Sequence, residues 1–231
     1  MNPAKLIRSA IEAARTDGLA GAYAFLHERV AVRLIEHPKG ISTEKHIPQT
    51  GIGHNDVGLG HVPVTYRNLH IALRMARLTG TDTVLDYGSG LGRVLIEAAR
   101  LYPIRRAVGV ENSPELAAKC RQNIVRARPM CPIDVIEADA AAFEIPPDVT
   151  VAFFVNPFHG DVLDAVLARV RPHMRLVALA PEQGGHELLT QFRNCWRIER
   201  IAKRKMIGNA GGWQCQVYWV KDKLHSGRFS A

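Results

Sequence analysis

Cysteine is scarce and unpatterned: Cys120, Cys131, Cys195 and Cys215 are the four cysteines among 231 residues. They form no C-x-x-C pair and no His/Cys cluster at zinc spacing, so the expectation is reduced thiols in a cytoplasmic protein, with neither disulfides nor a metal centre. His54 and His61 alone do not make a metal site. No apolar run approaches the roughly 20 residues that a bilayer span requires, and Lys5, Arg8, Glu12, Arg15 and Asp17 interrupt the apolar residues of the N-terminus. Neither membrane insertion nor export is expected. Aromatics are only 6% of the chain, and few are interleaved with the basic concentration Arg193, Arg197, Arg200, Lys203, Arg204 and Lys205. A net charge of +8 therefore reads first as a solvated basic face, with a nucleic-acid footprint as the second reading. Internal repeats and low-complexity tracts are also missing.

With 47% apolar and 23% charged residues the chain has the balance of a globular protein with one substantial core. Residues 3 to 35 read as helix, with Leu6, Ile7, Ala10, Ile11 and Ala14 at three and four spacing, a break at Asp17-Gly18 and a second helix from about Ala20 to Ile35. From His37 to Val64 the chain is rich in Gly and Pro with little periodicity, which marks a long loop, and long loops inside compact domains tend to be functional. A helix at 66 to 79 follows. Strands are expected near 83–87, 106–110, 133–137, 149–155 and 174–180, with helices near 91–101, 113–127, 160–171 and 184–193 between them.

That alternation predicts an α/β fold, a Rossmann-like doubly wound sheet of about seven strands, mostly parallel and covered on both faces. Trp196 to Lys205 and Trp213 to Lys221 form a C-terminal antiparallel hairpin across Ile207 to Gly212. The expected organisation is a helical cap and loop over 1–64, a ligand-binding domain over 65–222 and a tail over 223–231.

The chemistry concentrates where apolar strands run into polar residues. Val84-Leu85-Asp86-Tyr87-Gly88-Ser89-Gly90-Leu91-Gly92-Arg93 is such a strand ending in a carboxylate, then alternate glycines and a helix whose N–H groups point into the same cleft. A dinucleotide fingerprint is G-x-G-x-x-G, whereas here the glycines fall at 88, 90 and 92 and position 93 is Arg, so no pyrophosphate seat is indicated. The next strands end in Val108-Gly109-Val110-Glu111-Asn112 and Val135-Ile136-Glu137-Ala138-Asp139-Ala140. The fourth ends in Val155-Asn156-Pro157-Phe158-His159-Gly160. Read without relatives, Glu111 is also a charge at a helix N-terminus, Asp139 a cap for the segment after it, and Asn156 the cap of a strand-to-helix turn.

Taken together, these motifs resemble those of the class I, seven-strand S-adenosylmethionine-dependent methyltransferases, over roughly residues 60 to 221. The resemblance implies that Asp86, Gly88, Ser89, Gly90 and Gly92 wrap the methionine half of the cofactor, and that Glu111, with Asn112 beside it, takes the ribose hydroxyls. A carboxylate offers two acceptor oxygens to a vicinal diol. Asp139 would meet the adenine amino group, with the Ala140 N–H at a ring nitrogen.

Asn156-Pro157-Phe158 partly resembles the Asn-Pro-Pro-aromatic signature of amino-directed enzymes, departs from it by one proline, and is closer to a bacterial group with Asn-Pro-Phe. Asn156, His159 and Tyr66 are the catalytic candidates, and Asn156 also lies against the cofactor. His61-Val62-Pro63-Val64-Thr65-Tyr66-Arg67 is similar to a Pro-Thr-aromatic segment that covers the methionine end, so Thr65 and Tyr66 are cofactor contacts on that reading. On the competing one, a helix starts at Thr65 and Tyr66 packs into the core.

Methyl transfer from a sulfonium is an in-line displacement that chiefly needs alignment and exclusion of water. The expected function is transfer to nitrogen of a protein side chain or a small molecule, yielding S-adenosylhomocysteine. An RNA or DNA methyltransferase is the enzyme alternative, and a non-catalytic cofactor-binding subunit the alternative of a different class.

Overall fold

The computed structural model describes residues 3–44, 63–158, 160–181, 190, 192, 195–206 and 213–223. Seven strands, β1 (Thr83–Tyr87), β2 (Arg106–Glu111), β3 (Ile133–Glu137), β4 (Val151–Val155), β5 (Arg175–Pro181), β6 (Trp196–Met206) and β7 (Trp213–Lys223), form one sheet in the order β3-β2-β1-β4-β5-β7-β6. The first five pair in parallel, and β7 runs antiparallel to both β5 and β6. The chain order doubles back between β1 and β4, so the loops after those strands face one another across the crevice where open α/β sheets bind ligands.

Helices α1 (Pro3–Ile35), α2 (Tyr66–Ala76), α3 (Arg93–Leu101), α4 (Pro114–Ala127) and α5 (Gly160–Arg169) follow the expected alternation. The predicted helix at 184–193 lies mostly outside the described residues. Alternate residues of each central strand feed two apolar layers. Val84, Phe153, Val177 and Val217 join Leu69, Leu73 and Leu95 from α2 and α3 on one face. Leu85, Tyr87, Phe154, Leu163, Leu167 and Tyr218 fill the other. Burying a side chain of this size is worth about 1.5–3 kcal/mol, so the central strands tolerate no polar residue in these positions. Both faces are covered, as a parallel sheet demands.

The helix breaks are local chemistry. α1 is interrupted at Asp17 (φ −123°, ψ 18°) and Gly18 (φ 65°, ψ −163°), where the sequence placed its break. α2 ends three residues before the expected position because Arg77 turns left-handed (φ 51°), after which Asp82 accepts from the Thr79 N–H at 2.7 Å and closes the turn into β1. α4 begins at Pro114, capped by Ser113, whose hydroxyl accepts from Leu116 N, with Glu115 in the first turn.

Candidate active site

The loop after β1 is drawn onto β2: Gly88 N–H and Ser89 N–H both donate to the Val110 carbonyl, at 2.9 and 3.0 Å. Gly92 N–H then closes a tight turn onto Ser89 O at 2.8 Å. Gly88 is exposed and left-handed (φ 70°), and a Cβ added there would lie 3.0 Å from the Pro157 Cβ. The loops after β1 and β4 therefore touch, and Gly88 is the residue type that lets them. Gly92 (φ 88°) caps α3, which starts at Arg93, two residues later than expected, because Leu91 and Gly92 are consumed by the turn.

Glu111, buried at the end of β2, is the clasp of this arrangement. One carboxylate oxygen accepts from Gly90 N–H at 2.8 Å and the other from Ser113 N–H at 3.0 Å. The carboxylate thus joins the glycine loop to the start of α4. Asp139 is exposed after β3 and its Oδ1 accepts from Ala141 N–H at 2.8 Å, with Ala140 half-buried beside it and Asn112 exposed after β2. The Asp139 geometry is that of a turn cap, which leaves its second oxygen for other partners.

Asp86 is buried at the end of β1. Burial, and then the charge of Glu111, push its carboxyl well above the usual carboxylate range. The opposite edge of the sheet behaves otherwise. There the Arg106 guanidinium holds Asp148 far below the ordinary value, with Nε and Nη2 each 2.8 Å from a carboxylate oxygen. Burial pushes Asp82 up as well, but its bonds from Arg175, Thr150 and Thr79 outweigh that and hold it low. Asp148 and Asp82, paired with arginines, sit where the strands begin, and Asp86, pressed toward neutrality, sits at the cleft. Unfavourable burial of that kind marks functional sites.

A pH dependence follows. Asp86 in the fold titrates above its unfolded value of about 3.9, so its contribution to stability is fully present below that pH and is lost as pH rises through the raised value. An Asp86→Asn variant, free of cofactor, is expected to unfold at a higher temperature than the parent near neutral pH and at an equal temperature near pH ~4. Thermal midpoints at the two pH values check this; an unchanged difference between them contradicts it.

Asn156 follows β4 with φ 45°, a left-handed conformation that Asn tolerates better than most residues and that the following Pro157 makes unusual. Strain of this sort persists only where the surroundings enforce it. His159 lies outside the described residues, as do His54, His61 and most of the long loop, residues 45–62. The Thr65–Tyr66 segment takes the second of its two readings. Thr65 caps α2 by accepting from Asn68 N, and Tyr66 is buried, its hydroxyl donating to Glu36 Oε1 at 2.9 Å. Burial first, and then the Glu36 charge, push the Tyr66 hydroxyl far above its ordinary value.

Tyr66 belongs to a network that the sequence did not disclose. Arg93, first residue of α3 and 4% exposed, donates from Nε to Thr43 Oγ1 at 2.7 Å, from Nη1 to Glu28 Oε1 at 2.5 Å and Val64 O at 2.7 Å, and from Nη2 to Glu36 Oε1 at 3.1 Å. Its guanidinium lies 4.4 Å from the centre of the Tyr66 ring. Glu36 also accepts from Thr43 N and its hydroxyl, and Glu28 from Tyr66 N at 2.7 Å. The helical cap is bolted through one arginine to the helix that starts at the glycine loop. One signal was available: a cation in the first turn of a helix opposes the macrodipole, so Arg93 needed carboxylates from elsewhere.

Fit to the cofactor follows from the donor set. Carboxylates stand at the ends of adjacent strands, Asp86, Glu111 and Asp139, and S-adenosylmethionine presents cations, a vicinal diol and an amino group, all donors or positive charge. Among the described residues, no group of three or more His, Cys, Asp or Glu is arranged to hold a metal ion, and no helix is long and apolar enough to cross a membrane.

Comparison with known proteins gives the same class. Residues 84–176 match the family model described as a methyltransferase domain. A ribosomal protein L11 methyltransferase of Desulfotalea psychrophila is 27% identical over 137 residues, 58% of this chain and 45% of that protein. A protein-lysine N-methyltransferase of Saccharolobus islandicus is 25% identical over 119 residues, 51% of this chain and 74% of that protein. The chain thus spans under half the length of the first of these relatives.

Among solved structures, an S-adenosylmethionine-dependent methyltransferase from Thiobacillus denitrificans, in complex with S-adenosylhomocysteine, superposes with a TM-score of 0.56 at 16% identity. The superposition covers 70% of this chain and 94% of that one, and speaks for the fold. Residues 84–176 thus carry a methyltransferase domain, within a fold shared with a solved S-adenosylmethionine-dependent methyltransferase.

The Glu111 clasp makes a prediction of its own. Glu111→Ala is expected to weaken S-adenosylhomocysteine binding by about 1–3 kcal/mol, roughly 5- to 150-fold, because the Gly90 and Ser113 N–H groups lose their acceptor along with the ribose. Titration calorimetry of parent and variant measures it, and equal affinities contradict the assignment.

Proposed function

We propose that this protein transfers a methyl group to an amino nitrogen of a protein side chain, with lysine as the preferred acceptor. The observation that carries the reading is the contact between the two strand-end loops. Pro157 rests on Gly88, so Asn156 stands at the mouth of the cleft, next to the glycine loop expected to hold the methionine half. The kinship with a ribosomal protein methyltransferase and a protein-lysine methyltransferase supports the choice of acceptor.

When bound, S-adenosylmethionine supplies an electrophilic methyl on a positively charged sulfur. The chain's own task is to bind and align. Glu111 holds the ribose while keeping the glycine loop in register, Asp139 and the Ala140 N–H flank the adenine, and the buried Asp86 carboxyl, held toward its neutral form in the free chain, becomes the counter-charge to the cofactor's cation on binding. The Asn156 carboxamide oxygen accepts an N–H of the incoming amine, turning its lone pair to the methyl carbon. Tyr66 takes no part in the transfer, since its hydroxyl is committed to Glu36.

The test is to incubate the full chain with methyl-labelled S-adenosylmethionine and, separately, protein extract, total RNA and a small-molecule pool. Label in protein that survives acid hydrolysis as methyl-lysine supports the reading. Label confined to RNA or to small molecules overturns it, and saturable cofactor binding without turnover in any pool favours a non-catalytic subunit.

A further inference from the structure

After its break, α1 is apolar on two opposite faces. Ala24, Ala31 and Val32 are buried on one side. On the other, Leu19, Tyr23, Leu26, Val30 and Leu34 are all exposed, Leu19 at 88% and Leu34 at 70%. At 3.6 residues per turn these five fall within about 80° of arc, centred opposite the buried side. A helix of this composition is normally covered all round. A contiguous stripe of bare large side chains is an interaction surface, whereas scattered ones are not.

We infer that the occupant is a second copy of this chain, docked antiparallel through the same stripe. Three features favour that partner. The stripe is symmetric in sequence: Leu19 and Leu34, and Tyr23 and Val30, are equidistant from a point between Leu26 and His27, so a two-fold axis there sets Leu19 against Leu34, Tyr23 against Val30 and Leu26 within about 1.5 Å of its own copy along the helices. Closed dimers require such self-complementarity, and the three- and four-residue spacing is that of interdigitating helices. The five side chains offer roughly 500–600 Å² per copy, which places the pair at the small end of specific interfaces.

The charges are also compatible. Arg33 falls opposite Ala20 across the axis, and Arg29 is paired within its own chain to Glu44, so no like charges are brought together. A lipid surface fits less well, because interfacial helices carry many Lys and Arg beside the apolar face. Residues 19 to 35 hold no Lys, and Arg29 and Arg33 are their only arginines.

Sedimentation velocity of the full chain over micromolar to tens of micromolar concentration tests the inference. The parent is expected to show a reversible monomer–dimer equilibrium. Leu26→Glu should shift its midpoint at least tenfold toward monomer without lowering the thermal midpoint. Val125→Glu, which changes a bare apolar residue on α4 (76% exposed), should leave it unchanged. Under mild oxidation Leu26→Cys should form a covalent dimer well above the parent's background. Leu34→Cys should not, its symmetry mate lying about 22 Å away along the helices. A parent that stays monomeric throughout, or a dimer indifferent to Leu26→Glu, overturns the inference. So does uptake of the monomer onto anionic vesicles that Leu26→Glu abolishes, which would assign the stripe to lipid.

Discussion

Arg93→Met is expected to lower folding stability by about 3–5 kcal/mol, the range for removing one partner of a buried ion pair. The methionine retains much of the side-chain volume, so the loss is electrostatic in origin. Glu36, 1% exposed, and the largely buried Glu28 would keep their negative charges beside each other without the cation that both face. The Val64 carbonyl and the Thr43 hydroxyl lose donors at the same time. Urea denaturation of parent and variant reads the difference. Adding Glu36→Gln should recover part of the loss, because the pair of variants removes one uncompensated charge along with the arginine; additive losses would contradict this account of the network. The consequence for function is indirect. Arg93 directly follows Gly92, so loosening the cap also loosens the turn that presents the cofactor loop.

The second large effect is expected at Gly92. A Cβ at this position would lie 2.6 Å from the Cys120 Sγ, closer than real side chains approach, and the backbone sits at φ 88°, where L-residues are strained. Gly92→Ala should therefore cost about 2–4 kcal/mol, from overpacking together with the left-handed conformation. The two parts separate experimentally. Cys120→Ala in the Gly92→Ala background removes the contact and should restore the overpacking share, while the conformational share remains. If Cys120→Ala restores nothing, the contact is not the cause. Burial, and then the Asp86 charge, push the Cys120 thiol up to about 12, so this sulfur is a protonated packing group and the substitution removes volume rather than reactivity.

What the sequence disclosed, and what it withheld, follows from the range of the forces involved. The strands were legible because a sheet covered on both faces needs unbroken apolar runs such as Val151 to Val155, and the tight loop after β1 because glycines permit its left-handed turns at 88 and 92. The expected start of α4 near residue 113 lies within one residue of the observed one, where Ser113 caps the helix that Pro114 begins. The starts and stops that moved, at Arg77 and Arg93, depend on single left-handed residues whose conformation no periodicity encodes. The Arg93 network was hidden for another reason: its partners lie far off in sequence, Val64 at 29 residues and Thr43, Glu36 and Glu28 at 50 or more, and pattern gives no account of distant pairing. Periodicity likewise says which residues share a face of α1 without saying what covers it. Ile7 and Ile11 keep helical spacing and are nonetheless exposed.

The most direct test of the central claim is calorimetric titration of S-adenosylhomocysteine into the intact chain. The account predicts saturable binding of one molecule per chain, weakened in Glu111→Ala. A properly folded protein that takes up no nucleoside at millimolar concentration would contradict it.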